Sequence, residues 1–324
     1  MSLNWPLMEN NITREDLDTL VEFLQGNPIL TQSENVSEFE REWSEWVGVK
    51  YSIFVNSGSS ANLISLAALK QVSGSGGEII VPPLTWVSDI SSVLFCGYNP
   101  VFVDINPKTL SMNDEQVIAK LTKNTKAVIP VHFTGLMCEM DRICEIAKKH
   151  DIHIIEDAAQ SFGAEYRSQK AGSFSSVAIF SMNSMKVLGG FGETGAAVTD
   201  REDLYEKLKM LRYTGTKSDP SKIITNEAIY VSLNHKIDTI QAAMLLVMMK
   251  YLPDRMKRRT EIAMRYNQAL SDMVLCPEIK EGNIHGKKIG HITMLKEESI
   301  KINSDFELWI AKEILSRKEK NERS

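Results

Sequence analysis

Between residues 51 and 181 short runs of Val, Ile and Phe alternate with longer stretches whose apolar residues recur at helical spacing. The runs Tyr51–Val55, Glu78–Val81, Pro100–Asp104, Ala127–Val131, Ile152–Ile155 and Val177–Phe180 read as strands. They are apolar almost throughout instead of alternating, as expected of strands covered on both faces. Helices are predicted over 13–25, 36–46, 61–69, 113–122 and 142–150. The first opens on a capping-box pattern, Thr13 then Asp16, carries Leu17, Leu20, Val21 and Leu24 on one stripe, and stops at Gly26-Asn27-Pro28. This alternation predicts an α/β fold with a mostly parallel sheet sandwiched by helices.

The pattern weakens towards the end. From Glu278 onward the chain is rich in Lys and Glu, carries Gly282, Gly286 and Gly290, and shows little strand periodicity. An amphipathic helix is predicted over Asp305 to Arg317, with Phe306, Trp309, Ile310 and Ile314 on one face and a charged tail behind it. At 324 residues the chain exceeds the roughly 250–300 at which a single core stops growing. We therefore expect a large domain over 1–245, including the N-terminal helices, and a small C-terminal domain over 246–324.

Composition narrows the functional classes. A net charge of −5 with 24% charged and 43% hydrophobic residues leaves no basic stripe for nucleic acid. No apolar run is long enough to span a membrane, and the N-terminus has no basic segment followed by an apolar one, so a cytoplasmic protein is expected. Cys96, Cys138, Cys144 and Cys276 form no CxxC pair, and the six histidines form no cluster with zinc spacing. Neither a disulfide framework nor a protein metal site is expected.

The candidate chemistry lies at strand ends, where open α/β sheets bind ligands. Asn56-Ser57-Gly58-Ser59-Ser60 joins a strand to a helix. It is either a serine N-cap or a phosphate cradle with Ser59 and Ser60 as added donors. Trp86, after the strand ending at Val81, either anchors the core or lays its ring over a flat ligand. Asp157 follows the fifth strand, as a solvated corner, a helix cap or a ligand carboxylate. Ser181 and Lys186 follow the sixth strand, ahead of Gly189, Gly190, Gly192 and Gly195. A lysine held there, not on a solvated helix, is either a surface lysine of a Gly-rich loop or an amine suited to imine chemistry. An anion site, a stacking face, a carboxylate and an amine together are what pyridoxal phosphate requires. The Gly-rich loop does not form G-x-G-x-x-G between a strand and a helix, which argues against a dinucleotide.

Five blocks in order, Asn56–Ala61, Pro83–Trp86, Glu156–Gln160, Ser181–Lys186 and Asn234–Ala243, resemble the DegT–DnrJ–StrS sugar aminotransferases, a branch of the fold-type I pyridoxal phosphate enzymes. The resemblance runs from the N-terminal helix to about residue 276. It implies that Lys186 forms the Schiff base and moves a proton between the donor Cα and the cofactor C4′, while Asp157 pairs with the pyridine nitrogen. It further implies that Trp86 stacks on the ring, that Gln160 lies near its 3′-hydroxyl, and that Ser59, Ser60 and Ser181 hold the phosphate. Asn234 would reach the phosphate in a neighbouring subunit, making the working unit a homodimer with shared sites. The implied reaction moves an amino group from glutamate to a keto sugar, a nucleotide-linked keto-deoxysugar, in cell-surface polysaccharide or related sugar biosynthesis.

Departures from the family pattern qualify this. The segment Asn56 to Asn62 is shared with deoxysugar dehydratases that use pyridoxamine phosphate, but those carry histidine where this chain has Lys186. Lys236 stands where arginine is usual, which keeps the charge without the two-pronged donor. The atypical tail also leaves open a relative that binds cofactor without turnover.

Overall fold

The computed structural model describes residues 12–218, 226–270 and 283–284. The helix predicted over Asp305 to Arg317, Cys276 and the remaining tail lie outside these. A seven-stranded sheet forms the centre, in the order β1 (Tyr51–Val55), β9 (Gly195–Thr199), β8 (Val177–Ser181), β5 (His153–Asp157), β4 (Thr125–Val128), β2 (Glu78–Val81) and β3 (Asn99–Phe102). The five strands from β8 to β3 are mutually parallel, while β9 is antiparallel to both β8 and β1. Two reversals restore direction, so β1 runs the same way as β8. The carboxyl ends of β1, β2, β4, β5 and β8 therefore share one rim with the start of β9.

Helices α1 (Arg14–Gln25), α2 (Glu34–Val47), α3 (Gly58–Ser73), α4 (Val87–Phe95), α5 (Asp114–Lys120), α6 (Met140–His150), α7 (Glu202–Arg212) and α8 (Thr239–Leu270) surround the sheet. Short strands complete the described part: β6 (Glu165–Tyr166) pairs with β7 (Gln169–Lys170) and with β12 (Asn283–Ile284), and β10 (Thr216–Ser218) pairs with β11 (Asn226–Ala228). Successive strand residues feed opposite cores. Ile53 and Val55 of β1 and Val177 and Ile179 of β8 join the cluster that includes Ile64 of α3 and Leu204 and Leu208 of α7. Phe54, Ala178 and Phe180 join the other face with Phe39, Trp43 and Leu245. This two-sided burial is why the strands read as unbroken apolar runs.

Several boundaries differ from the sequence reading. The strand expected over Pro100–Asp104 is Asn99–Phe102, and the one expected over Ala127–Val131 ends at Val128. The helix expected to begin at Ala61 begins at Gly58 and runs to Ser73. Gly195, read as part of a loop, opens strand β9. A Cβ there would lie 2.5 Å from Gly58 N, so glycine allows this strand to slot between β1 and β8. The capping box of α1 is present, with Thr13 and Asp16 satisfying each other's backbone N–H groups. The stripe of α1 is only partly covered: Leu17 and Val21 remain 38% and 52% exposed.

One largely buried ion pair ties α7 to α2. Arg212 pairs with Glu40, whose carboxylate also accepts from the Phe54 N–H at 2.8 Å. Burial raises the Glu40 pKa and the Arg212 charge pulls it back. Arg212→Ala is expected to cost roughly 3 kcal/mol, because it leaves a buried carboxylate without its cation. Chemical denaturation would read this as a lower midpoint with an unchanged slope.

Candidate active site

Where β1 ends, the chain turns through Asn56 and Ser57 into α3. Ser57 is extended and caps the helix, accepting from Ser60 N–H at 3.0 Å. The N–H groups of Gly58 and Ser59, in the first turn, have no intrahelical acceptor. Glycine is required at 58: a Cβ would sit 2.7 Å from the Ser181 Cβ. That approach brings the end of β8 against the helix N-terminus and places Ser181 beside it. Ser59 is exposed, whereas the Ser60 hydroxyl is engaged, donating to Asn56 Oδ1 at 2.6 Å and lying 3.0 Å from His235 Nδ1. The Asn56 amide in turn donates to the Asn234 carbonyl at 3.3 Å. Within the chain, Asn234 itself is exposed, its Oδ1 accepting from Lys236 N–H at 3.2 Å. Lys236 lies over the Tyr213 ring, 4.6 Å from its centroid.

Asp157 is the last residue of β5 and is 95% buried by its surroundings, with 5% of its surface exposed. Its Oδ1 accepts from Ala159 N–H at 2.9 Å. Lys186 sits in the loop between β8 and β9, which folds back on itself through Ser184 N–H to Gly192 O, Lys186 N–H to Asn183 O and Gly190 N–H to Met182 O. Gln241 of α8 grips the same loop by accepting from Phe191 N–H and donating to Phe191 O. Cβ atoms at Gly189 and Gly190 would lie 2.9 Å and 2.6 Å from neighbouring atoms, so the glycines let the loop close under the lysine.

Burial lowers the Lys186 pKa, opposed in part by the charges of Asp157 and Glu193. The amine is therefore poised to lose its proton more readily than a solvated lysine while still facing a carboxylate. The sign is testable: the reaction of Lys186 with an aldehyde should reach its plateau at a lower pH than that of a surface lysine, as a pH series of stopped-flow traces would show.

Trp86 is 70% exposed and caps α4 without a side-chain hydrogen bond. That excludes the core-anchor alternative in this chain and leaves its ring free at the rim. Gln160 Oε1 accepts from Thr134 N–H at 3.1 Å, which fixes the orientation of its amide.

Three features escaped the sequence reading. Asp89, in the first turn of α4, is wholly buried and lies against Asp157, with Asn62 and Thr85 donating to it. The pattern Thr85 followed by Asp89 four residues later was the available signal. Behind Asp157, His132 and Glu156 form a buried pair at 2.9 Å. Cys138 N–H donates to His132 Nδ1 at 3.2 Å, so the ring points its Nε2–H at Glu156. Glu156 also accepts from Gly172 and Phe174 N–H, bracing the residue beside Asp157. His235 is the third, through its contact with Ser60.

The donor set fits pyridoxal phosphate. Free N–H groups and a hydroxyl converge where only glycine lets β8 approach α3, and a desolvated amine lies within the electrostatic reach of a carboxylate at the end of β5. Among the described residues no group of His, Cys, Asp or Glu side chains is placed to hold a metal ion, and no helix is long and apolar enough to cross a membrane.

The chain is similar to known proteins over most of its length. The family model for the DegT/DnrJ/EryC1/StrS aminotransferase family matches residues 10–306. GDP-perosamine synthase of Caulobacter vibrioides is 34% identical over 271 residues, which is 84% of this chain and 70% of that protein. Helicobacter pylori PseC, an aminotransferase of pseudoaminic acid biosynthesis, superposes with a TM-score of 0.80 at 28% identity, covering 88% of this chain and 76% of PseC. NtdA of Bacillus subtilis, solved with bound cofactor PMP, superposes with a TM-score of 0.75 at 30% identity, covering 85% and 63% of the two chains.

Proposed function

The chain belongs to the DegT/DnrJ/EryC1/StrS aminotransferase family of pyridoxal phosphate-dependent sugar aminotransferases, and on that premise we propose that it transfers an amino group from glutamate to a nucleotide-linked keto-deoxysugar. The observation carrying this reading is Lys186, desolvated and within the electrostatic reach of Asp157, in the loop that follows β8. When bound, pyridoxal phosphate supplies the electron sink that lets a bond to the donor Cα break heterolytically.

The protein's own groups do the rest. Lys186 would hold the cofactor through its Nζ and, as the free amine, would carry the proton that leaves the donor Cα. Asp157 keeps the ring nitrogen protonated, its own oxygen steadied by Ala159 N–H. The first turn of α3 with Ser59 and Ser181 binds the phosphate through N–H and hydroxyl donors, and Ser60 acts through its bonds to Asn56 and His235. Trp86 would cover the ring face, and Gln160 would lie near the 3′-hydroxyl. GDP-perosamine synthase and PseC, as named, support a sugar acceptor.

The working unit in this reading is a homodimer in which Asn234 reaches the partner's phosphate. Asn234 and its neighbours Val231 and Leu233 are exposed, as is Phe95 on α4; such a collection of exposed apolar residues suits a subunit interface. The large domain over 1–245 would hold the cofactor and residues from 246 on would shape the sugar pocket.

The half-reaction tests the assignment. Glutamate added to the cofactor-loaded protein should remove its visible absorbance, and a nucleotide-linked keto-deoxysugar should restore it with formation of an amino sugar. Deoxygenated sugar without amino-group incorporation would instead make the protein a dehydratase. Cofactor binding with no half-reaction from any amino donor would make it a non-catalytic relative.

A further inference from the structure

Asp89 is an acid in an unusual place. It is 0% exposed, and among the described residues its side-chain donors, Asn62 and Thr85, are neutral. Asn62 Nδ2 donates to its Oδ1 at 2.6 Å, the Thr85 hydroxyl donates to its Oδ2, and the Asp157 carboxylate lies within hydrogen-bonding reach. The Asn62 amide also donates to Ser88 Oγ at 3.2 Å, which leaves its own buried Oδ1 without a partner. An amide that forgoes a bond in this way is oriented for what it donates to.

Two buried carboxyls in contact cannot both be ionised. Asp157 has the Lys186 charge in its field and a backbone N–H on its Oδ1. Asp89 has neutral donors and the first turn of α4, a weaker compensation than a cation. This asymmetry favours the shared proton on Asp89. We propose that Asp89 is a positioning residue, a neutral carboxylic acid whose hydrogen bond to the Asp157 carboxylate aims that charge at the cofactor's ring nitrogen and limits its basicity. The ring-nitrogen clause rests on the function proposed above; the protonation of Asp89 does not.

Burial, followed by the charge of Asp157, pushes the Asp89 pKa well above the aspartate range. The sign of its linkage follows. Above the ordinary aspartate pKa the unfolded chain ionises Asp89 while the native protein keeps the proton. Stability from this group is thus present at low pH and lost as pH rises. Asp89→Asn removes that dependence while keeping a neutral donor of the same shape.

The test begins on the cofactor-free protein. Infrared spectra at neutral pH should contain the carbonyl stretch of a protonated carboxylic acid, and Asp89→Asn should remove it. No such band in the wild type, or a band that survives the substitution, overturns the proposal. The second arm uses cofactor-loaded protein and follows its visible absorbance against pH. Asp89→Asn should leave the midpoint within a few tenths of a unit of wild type, whereas Asp89→Leu, which lacks the donor, should move it by about one unit, a tenfold change in proton affinity. Equal displacement by both variants would mean that Asp89 acts as a charge and would also overturn the proposal. A wild-type protein that forms no visible band would defeat the assigned function, with the infrared arm still reporting on Asp89.

Discussion

Lys186→Ala is expected to lower the rate of amino transfer by at least about 10⁴-fold, the upper range for loss of a positioned proton carrier, because covalent attachment is lost as well. The loss should fall on kcat in both half-reactions, since the same amine handles the proton at the donor Cα and at C4′. Stability should change little: the side chain ends in a loop closed by backbone hydrogen bonds and by Gln241, none of which needs the amine. Single-turnover kinetics with glutamate, beside a thermal melt, would check both halves. A variant that retains more than about one-hundredth of the wild-type rate would assign the proton transfer to another group.

Asp157→Asn is expected to cost about 10³-fold in the same step, the scale associated with removing one preorganised electrostatic partner. The amide can still accept from Ala159 N–H, so the loop after β5 should keep its shape, and the effect should be one of charge. A second consequence has a definite sign. The Asp157 carboxylate holds the Lys186 pKa up against burial, so removing it should lower that pKa further, with Glu193 the remaining opposing charge. Apoprotein carrying Asp157→Asn should therefore react with an aldehyde at a lower pH than wild type, even as its transamination slows. A parallel loss of both reactivities would point to a collapsed site instead.

Much of this site was legible because strands buried on both faces leave an unmistakable apolar signature, and a strand's last residues mark the rim where ligands sit. Asp157, Ser181 and Lys186 could be placed that way. Trp86 could be placed but not interpreted, since only its exposure distinguishes a ring that covers a ligand from one that fills a core. Strand β9 was hidden because Gly195-Ala196-Ala197 has low strand propensity; its small residues answer to the close packing of β1 and β8, a tertiary constraint. Asp89 was hidden for a related reason. Its meaning comes from Asn62 on α3, 27 residues earlier, and from Asp157 on β5, and no local pattern joins the three. The N-terminal helix shows the converse: its stripe was read correctly as a helix signal, yet the stripe is only partly covered within the chain. The motif alone places Ser60 with the phosphate donors, whereas its hydroxyl bonds to Asn56 and lies against His235.

The central claim is that one amine carries the chemistry. Borohydride reduction of the protein loaded with pyridoxal phosphate, followed by digestion and mass spectrometry, would locate the pyridoxyl group directly. The account predicts a single labelled peptide with the modification on Lys186; a label on any other lysine, or no label after saturation with cofactor, would contradict it.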